Sequence, residues 1–291
     1  MSSLWDGVRR GWDEAVASVA DYRSWADPTL HASRLLLRRA NIPIAVTGLP
    51  GTGKTVLYDA VAGRVGGLGY ETTRSTDWER HRLLLRRGST GRRTAMLVVP
   101  GQDSSNRTKA LDHVFGTGRR RFLRPPIGPV GVVHVVCWGY HRLWNRGTDG
   151  ALEWIKPDAT RPGNERLREH LLKREADDFA DIARRFTGDA VKHRLSWLII
   201  AVAKSDLFWS EISDARDHYI PGEAGSPFHA VLNSLASGTR TLPEQIAIVP
   251  FSAHPEAHDY ADGLYRTPSQ FDSVQATALR NSFYDVLDRM L

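Results

Sequence analysis

Residues 48 to 55 read G-L-P-G-T-G-K-T and follow directly on an apolar run, Ile42 to Thr47. Every fixed position of the phosphate-loop pattern G-x-x-x-x-G-K-[ST] is filled, and the pattern works only where a strand leads in and a helix leads out. Val56, Leu57, Ala60 and Val61 supply the apolar face of that helix. Gly48, Gly51 and Gly53 let the backbone turn so that its N–H groups wrap a phosphate chain. Lys54 brings a point charge to the terminal phosphates, and the Thr55 hydroxyl suits Mg²⁺. The bland alternative is a glycine turn between strand and helix.

The rest of the chain is compatible with this unit. Its 291 residues, 41% apolar and 25% charged, are those of a soluble globular protein with room for one large core. Cys137, the single cysteine, cannot make an internal disulfide and lies in an apolar run, which points to a reducing compartment and a packed thiol. No zinc site is expected from it. The longest apolar stretches, Val130 to Trp138 and Trp197 to Ala203, fall far short of the roughly 20 residues of a membrane span. Acids near the N-terminus break up the apolar run that a signal peptide needs. Stable membrane insertion is not expected, and the expected location is cytoplasmic. The net charge of +6, with Arg119, Arg120, Arg121 and Arg124 clustered, invites a nucleic-acid reading. Arginines are spread over every segment, however, and no aromatic-interleaved basic strand accompanies them, so a solvated face is preferred.

Residues 1–40 read as an amphipathic helical extension, with Trp5, Val8, Trp12, Val16 and Val19 at helical spacing. Packing on its own domain and docking to a partner are equally compatible with that pattern. From Asn41 strands and helices alternate. Glu79 to Arg87 and Thr94 to Val99 read as a hairpin across Gly88 to Gly91, Gly131 to Trp138 as a buried strand, and 139–163 as an irregular insertion containing Tyr140, Trp144 and Trp154. A helix capped by Asn164 runs to Phe186 and turns Leu167, Leu171, Phe179, Ile182 and Phe186 inward, while Asp177, Asp178 and Asp181 read as its solvated face. Trp197 to Ala203 and Gln245 to Val249 are further strands. Pro227 to Leu235 forms a short helix, and a closing helix carries Leu279, Phe283, Val286 and Met290. The fold class is α/β, a three-layer P-loop arrangement with a mostly parallel, doubly wound sheet and one antiparallel edge strand.

Three constellations bear on the ligand. In A-M-L-V-V-P-G-Q-D, residues 95 to 103, the Gly101 N–H can meet a terminal phosphate and Gln102 can orient an attacking water. In A-K-S-D, Ala203 to Asp206, a carboxylate can take two hydrogen bonds from the N1 and N2 donors of guanine, while the Lys204 stem lies along the ring. In F-S-A-H, Phe251 to His254, the N–H of Ala253 can reach the guanine O6, with Ser252 beside it. Each follows a buried strand, at the carboxyl edge where open α/β sheets bind ligands.

With these motifs the chain from Asn41 to Leu291 resembles a Ras-like small GTPase of the translation-factor-related class. The resemblance implies a GTP/GDP switch with Mg²⁺. Its nucleotide set would be Gly48, Pro50, Gly51, Thr52, Gly53, Lys54, Thr55, Val56, Gly101, Lys204, Asp206, Ser252 and Ala253, with Lys54 and Gln102 in the catalytic roles. Residues Gly66 to Trp78 and Gly101 to Lys109 would be the mobile switch segments. Thr72, Thr73 and Thr76 are unranked candidates for the first-switch threonine, and Thr73 stands beside Thr55 as the implied metal ligand. A protein effector or operon partner would read the state.

Two departures stand out. The family's D-x-x-G has become Val98, Val99, Pro100, Gly101, so the aspartate that holds Mg²⁺ through water is missing; Asp103 is a distant substitute. Ala203 stands where Asn or Thr ties the base loop to the phosphate loop. Losing a charge-assisted contact costs about 1.5–3 kcal/mol, so hydrolysis is less secure than binding. An arginine in cis, Arg74 or Arg80, could offset transition-state charge. Competing readings are a GTPase-like scaffold without catalysis, an ATP-using P-loop enzyme and a nucleic-acid binder. Asp206 and Ser252 count against ATP. Pro255 between His254 and His258 argues against a helical metal pair there.

Overall fold

The computed structural model describes residues 5–20, 43–62, 79–87, 90–101, 105–115, 129–141, 163–187, 194–222, 225–239, 245–260 and 265–291. In chain order these form α1 (Asp6–Ala20), β1 (Ile44–Thr47), α2 (Lys54–Val61), β2 (Glu79–Arg87), β3 (Thr90–Val98), α3 (Ser105–Phe115), β4 (Val130–Val136) and α4 (Gly163–Thr187). They continue with β5 (Leu195–Val202), α5 (Ile212–Tyr219), α6 (Pro227–Gly238), β6 (Ile246–Pro250), the small pair β7 (His258–Tyr260) and β8 (Tyr265–Thr267), and α7 (Ser273–Met290).

The main sheet has the order β2-β3-β1-β4-β5-β6. β1 pairs in parallel with β3 and β4, β4 with β5, and β5 with β6, whereas β2 runs antiparallel along β3. This is the predicted doubly wound sheet with one antiparallel edge. Parallel strands covered on both faces need apolar residues at every position, and β1 and β4 are buried throughout.

Alternation along β5 separates the two faces. Leu198, Ile200 and Val202 join α3, α4, α5 and α6 in one core cluster, through residues such as Leu111, Phe179, Tyr219 and Phe228. Trp197, Ile199 and Ala201 join α2 and α7 in the other, through Leu57, Tyr58, Phe283 and Leu287. Three layers follow directly from a period of two on the strands and 3.6 on the helices.

The strand β6 pairs on one side only, and an unpaired edge is a template for unwanted pairing. α1 lies against β6 and α7. Trp5, Val8 and Trp12 enter the first cluster, Ala15 the second, and Val19 a third with Phe271 and Leu279. The helix thus seals the joint between layers at the β6 end. Trp5 Nε1 donates to Asn233 Oδ1 at 3.1 Å and Arg9 Nη2 to the Pro221 carbonyl at 2.9 Å. Of the two roles open to it, α1 takes the first and packs on its own chain.

Some boundaries differ from expectation. β3 begins at Thr90 rather than Thr94, because antiparallel pairing of Thr90 to Arg93 with Arg87 to Leu84 satisfies their backbone groups despite a polar sequence. α4 begins at Gly163, so Asn164 lies in the first turn and is not the cap. α7 opens on a capping box, Asp272 accepting from Val274 N and Gln275 N while Gln275 accepts from Asp272 N.

Candidate functional site

The glycine loop joins β1 to α2 at the carboxyl edge of the sheet. Gly48, Gly51 and Gly53 have φ of 137°, 75° and 99°, a region other residues rarely adopt. A Cβ on Gly48 would stand 2.3 Å from the Val135 carbonyl oxygen of β4, so both backbone freedom and close approach require glycine there. Thr52 is fully buried and its hydroxyl donates to the Leu49 carbonyl at 3.0 Å, bracing the loop from within. Pro50 and Val56 are half-buried, and Thr55 in the first turn of α2 is exposed.

Lys54 folds back into the loop. Its ammonium donates to the Gly48 carbonyl at 2.9 Å and the Leu49 carbonyl at 2.7 Å. Burial lowers its pKa from 10.5 to about 7, with the Asp178 carboxylate the main influence in the other direction. Gly101, after β3, sits directly on this loop. A Cβ there would lie 2.5 Å from both Lys54 Nζ and Pro50 N.

Behind the loop lies a polar network that the sequence did not reveal. Arg107 on α3 donates through Nη1 to the Gly101 carbonyl at 2.8 Å and through Nη2 to Asp178 on α4. Asp178 was expected on the solvated face of its helix. It is instead 7% exposed, whereas Asp177 and Asp181 do face solvent. Burial raises its pKa and Arg107 opposes the rise. On β4, the His134 ring bonds Thr47 Oγ1 of β1 through Nδ1 at 3.0 Å, and burial holds its pKa down at about 3, keeping it neutral. The readable signal was spacing: Leu171, Glu175, Asp178 and Ile182 share one helical stripe. Two acids on a core-facing stripe need buried partners.

At the base end, Lys204 has left-handed backbone, φ 60°. Its ammonium donates to the Gly51 carbonyl at 2.8 Å and the Tyr140 carbonyl at 2.6 Å, stitching the base loop to the phosphate loop. Asp206 is 2% exposed. Ser252 Oγ donates to its Oδ1 at 2.8 Å, and among the described residues no hydrogen bond reaches Oδ2. Burial raises the Asp206 pKa, and the Ser252 hydrogen bond is the largest opposing effect. Ala253 follows on the same turn, and its carbonyl accepts from Arg280 at 2.7 Å, which fixes the peptide. Ala203 presents only a methyl toward Gly53, 3.8 Å from where a Cβ on that glycine would be. No side-chain hydrogen bond can form there.

Val98, in the position of the missing aspartate, is buried among Met96, Val46 and Val133. Among the described residues Thr55 is the single expected Mg²⁺ donor, so they do not by themselves fit that ion. Gln102, Asp103, Thr72, Thr73, Thr76, Arg74, Trp144 and Trp154 lie outside the described residues, as does the side chain of Arg80. Tyr140 is described, stacked on Phe208 with centroids 5.7 Å apart. The structure therefore gathers the loop, Lys54, Gly101, Lys204, Asp206, Ser252 and Ala253 along one edge.

Cys137 is not an isolated packed thiol. It lies with His141 and Glu175 in a buried group whose ligating atoms are all within 4.8 Å of one another.

No helix among the described residues is long and apolar enough to cross a membrane. No known protein family matches the chain, and no curated protein is similar to it. Solved structures to which the chain shows similarity include the signal recognition particle receptor SRβ–GTP/SRX complex of Chaetomium thermophilum. The identity is 12%, over 75% of this chain and 93% of that one, with a TM-score of 0.38. Roco2 RocCORdC of Methanosarcina barkeri bound to GDP matches at 12% identity over 76% and 46% of the two chains, TM-score 0.34. A bacterial selenocysteine-specific elongation factor, EF-Sec, matches at 16% identity over 74% and 26%, TM-score 0.35. The chain thus spans less than half the length of the last two. The strand order β2-β3-β1-β4-β5-β6, with a glycine loop between β1 and α2, is that of a three-layer α/β P-loop fold.

Proposed function

We propose that this protein binds guanine nucleotides and acts as a GTP/GDP switch whose hydrolysis is weak or depends on a partner. The observation that carries the reading is the Asp206 carboxylate, with Oδ1 fixed by Ser252 and Oδ2 buried with no hydrogen bond from the described residues, on a loop tied to Gly51 through Lys204. A buried carboxylate oxygen needs a donor. The adjacent N1–H and N2–H of guanine provide two, and adenine has no such pair. At the other end, loop amides take the phosphates, and Lys54, with two of its three N–H groups on carbonyls, has one left for a phosphate oxygen.

Gly101, held to Arg107 through its carbonyl, is the natural point where a γ-phosphate would be sensed, since its neighbour is the phosphate loop itself. A protein effector or operon partner would read that change. Titration of nucleotide-stripped protein with GTP, GDP and ATP, followed by single-turnover phosphate release, tests the reading. Guanine-selective binding is the expected result; equal affinity for ATP, or no binding, would overturn it. Val98, sealed in the core, favours one second reading, a GTPase-like scaffold that binds nucleotide without turning it over. Absence of phosphate release in the same experiment selects it.

A further inference from the structure

We propose that Cys137, His141 and Glu175 bind a thiophilic divalent cation of the Zn²⁺ class, separately from the nucleotide site. Cys137 directly follows β4, His141 comes four residues later, and Glu175 comes across from α4. All three are buried, and their ligating atoms lie within 4.8 Å of one another. His141 is 3% exposed, yet among the described residues neither ring nitrogen has a hydrogen bond. Its Nε2 stands 3.2 Å from Glu175 Oε1 without the angle a hydrogen bond needs. A buried imidazole with no partner is costly. Around a tetrahedral Zn²⁺, with ligand bonds of about 2.0–2.3 Å, neighbouring ligand atoms sit about 3.3–3.6 Å apart. The His141–Glu175 pair is already close to that separation, and Cys137 Sγ needs a shift of up to about 1.2 Å.

The surroundings suit a bound cation. Glu175 Oε1 accepts from Cys137 N at 2.9 Å and Gly139 N at 3.3 Å, and Oε2 accepts from the Tyr219 hydroxyl, which in turn accepts from Trp138 N at 2.9 Å. Outer hydrogen bonds of this kind orient a ligating carboxylate. A thiolate and a carboxylate neutralise a dication, as a site beside Lys204, Arg174, Lys54 and His258 requires. Sulfur and imidazole select Zn²⁺ over Mg²⁺, which prefers oxygen alone. The cation would clamp 137–141 to α4. Because Tyr140 in that segment accepts from Lys204, the clamp would also steady the base loop.

The test is Co²⁺ and Zn²⁺ binding by the full chain after chelator treatment and dialysis. Expected are one equivalent of metal and, with Co²⁺, a near-ultraviolet thiolate-to-cobalt absorption. Cys137→Ser should abolish the absorption, and Tyr219→Phe, which touches no metal, should weaken binding roughly 10–100-fold. Wild-type protein without the thiolate band, or Cys137→Ser protein that binds metal as well as wild type, would overturn the proposal. If Cys137→Ser fails to fold, the wild-type spectrum decides alone. ADP- or GDP-dependent effects do not enter the readout, so the result stands apart from the nucleotide reading.

Discussion

The two ends of the nucleotide edge are built on different physics. At the base end, a short hydrogen bond from a neutral hydroxyl positions Asp206, and Lys204 spans two loops through carbonyls. At the phosphate end, three buried charges, Lys54, Asp178 and Arg107, constrain one another behind the loop, while Val98 supplies no oxygen. The base end holds its carboxylate through neutral partners, although Ala203 leaves one side-chain tie between the base and phosphate loops unmade. The phosphate end instead has an ion pair between α3 and α4, Arg107 with Asp178, and Arg107 also holds the Gly101 carbonyl. That ion pair links the Gly101 turn to helix packing, so substitutions there are expected to cost more stability than substitutions at the base end.

The sharpest way to break the contrast is Asp178→Ala. It leaves the Arg107 guanidinium buried without its carboxylate, which costs about 3–5 kcal/mol, and calorimetric unfolding should show a midpoint lower by roughly 10 °C. Asp181→Ala on the exposed side of the same helix should stay within about 0.5 kcal/mol of wild type. Equal losses in the two variants would mean that the network bears no special load.

Next in size, Asp206→Asn removes a charge-assisted acceptor worth about 1.5–3 kcal/mol, so GDP affinity falls roughly ten- to a hundredfold while the unfolding midpoint barely moves. Preference should pass to xanthine nucleotides. Unchanged guanine preference in a competition titration would remove Asp206 from base recognition.

Lys54 gives a pH signature peculiar to the phosphate end. Its free-state pKa is about 7, lowered from 10.5 by burial, and phosphates favour its charged form. Nucleotide affinity should therefore weaken above about pH 7, by at most tenfold per pH unit, as the bound state must take up a proton. Stability without nucleotide moves the other way. Between about 7 and 10.5 the unfolded chain holds the extra proton, so the Lys54 contribution grows more favourable as pH rises. A flat GDP affinity from about pH 6 to about pH 9 would contradict this. The smallest effect is Ser252→Ala, a loss of about 1 kcal/mol or roughly fivefold in GDP affinity, measured by the same titration.

The order of strands and helices was legible because each apolar run had one period and one length. The loop was legible because its glycines and lysine occupy fixed positions. Lys204, Asp206 and Ser252 could be named because each follows a buried strand. Arg107, Asp178, His141 and Glu175 could not, since an arginine or acid on an amphipathic helix ordinarily faces water, and only the stripe shared with Leu171 and Ile182 hinted otherwise. The N-terminal helix showed an apolar face but not its contact, because periodicity identifies a buried side without naming what buries it.

The sequence by itself determined the alternating α/β order, the strand–loop–helix phosphate unit and the residue types at the base edge, all properties of short windows with fixed spacing. Only the tertiary structure decided that α1 covers β6, that Arg107 meets Asp178, and that Cys137, His141 and Glu175 converge. Those contacts are distant along the chain: apolar burial seats α1, and the cost of a buried unpaired charge joins Arg107 to Asp178.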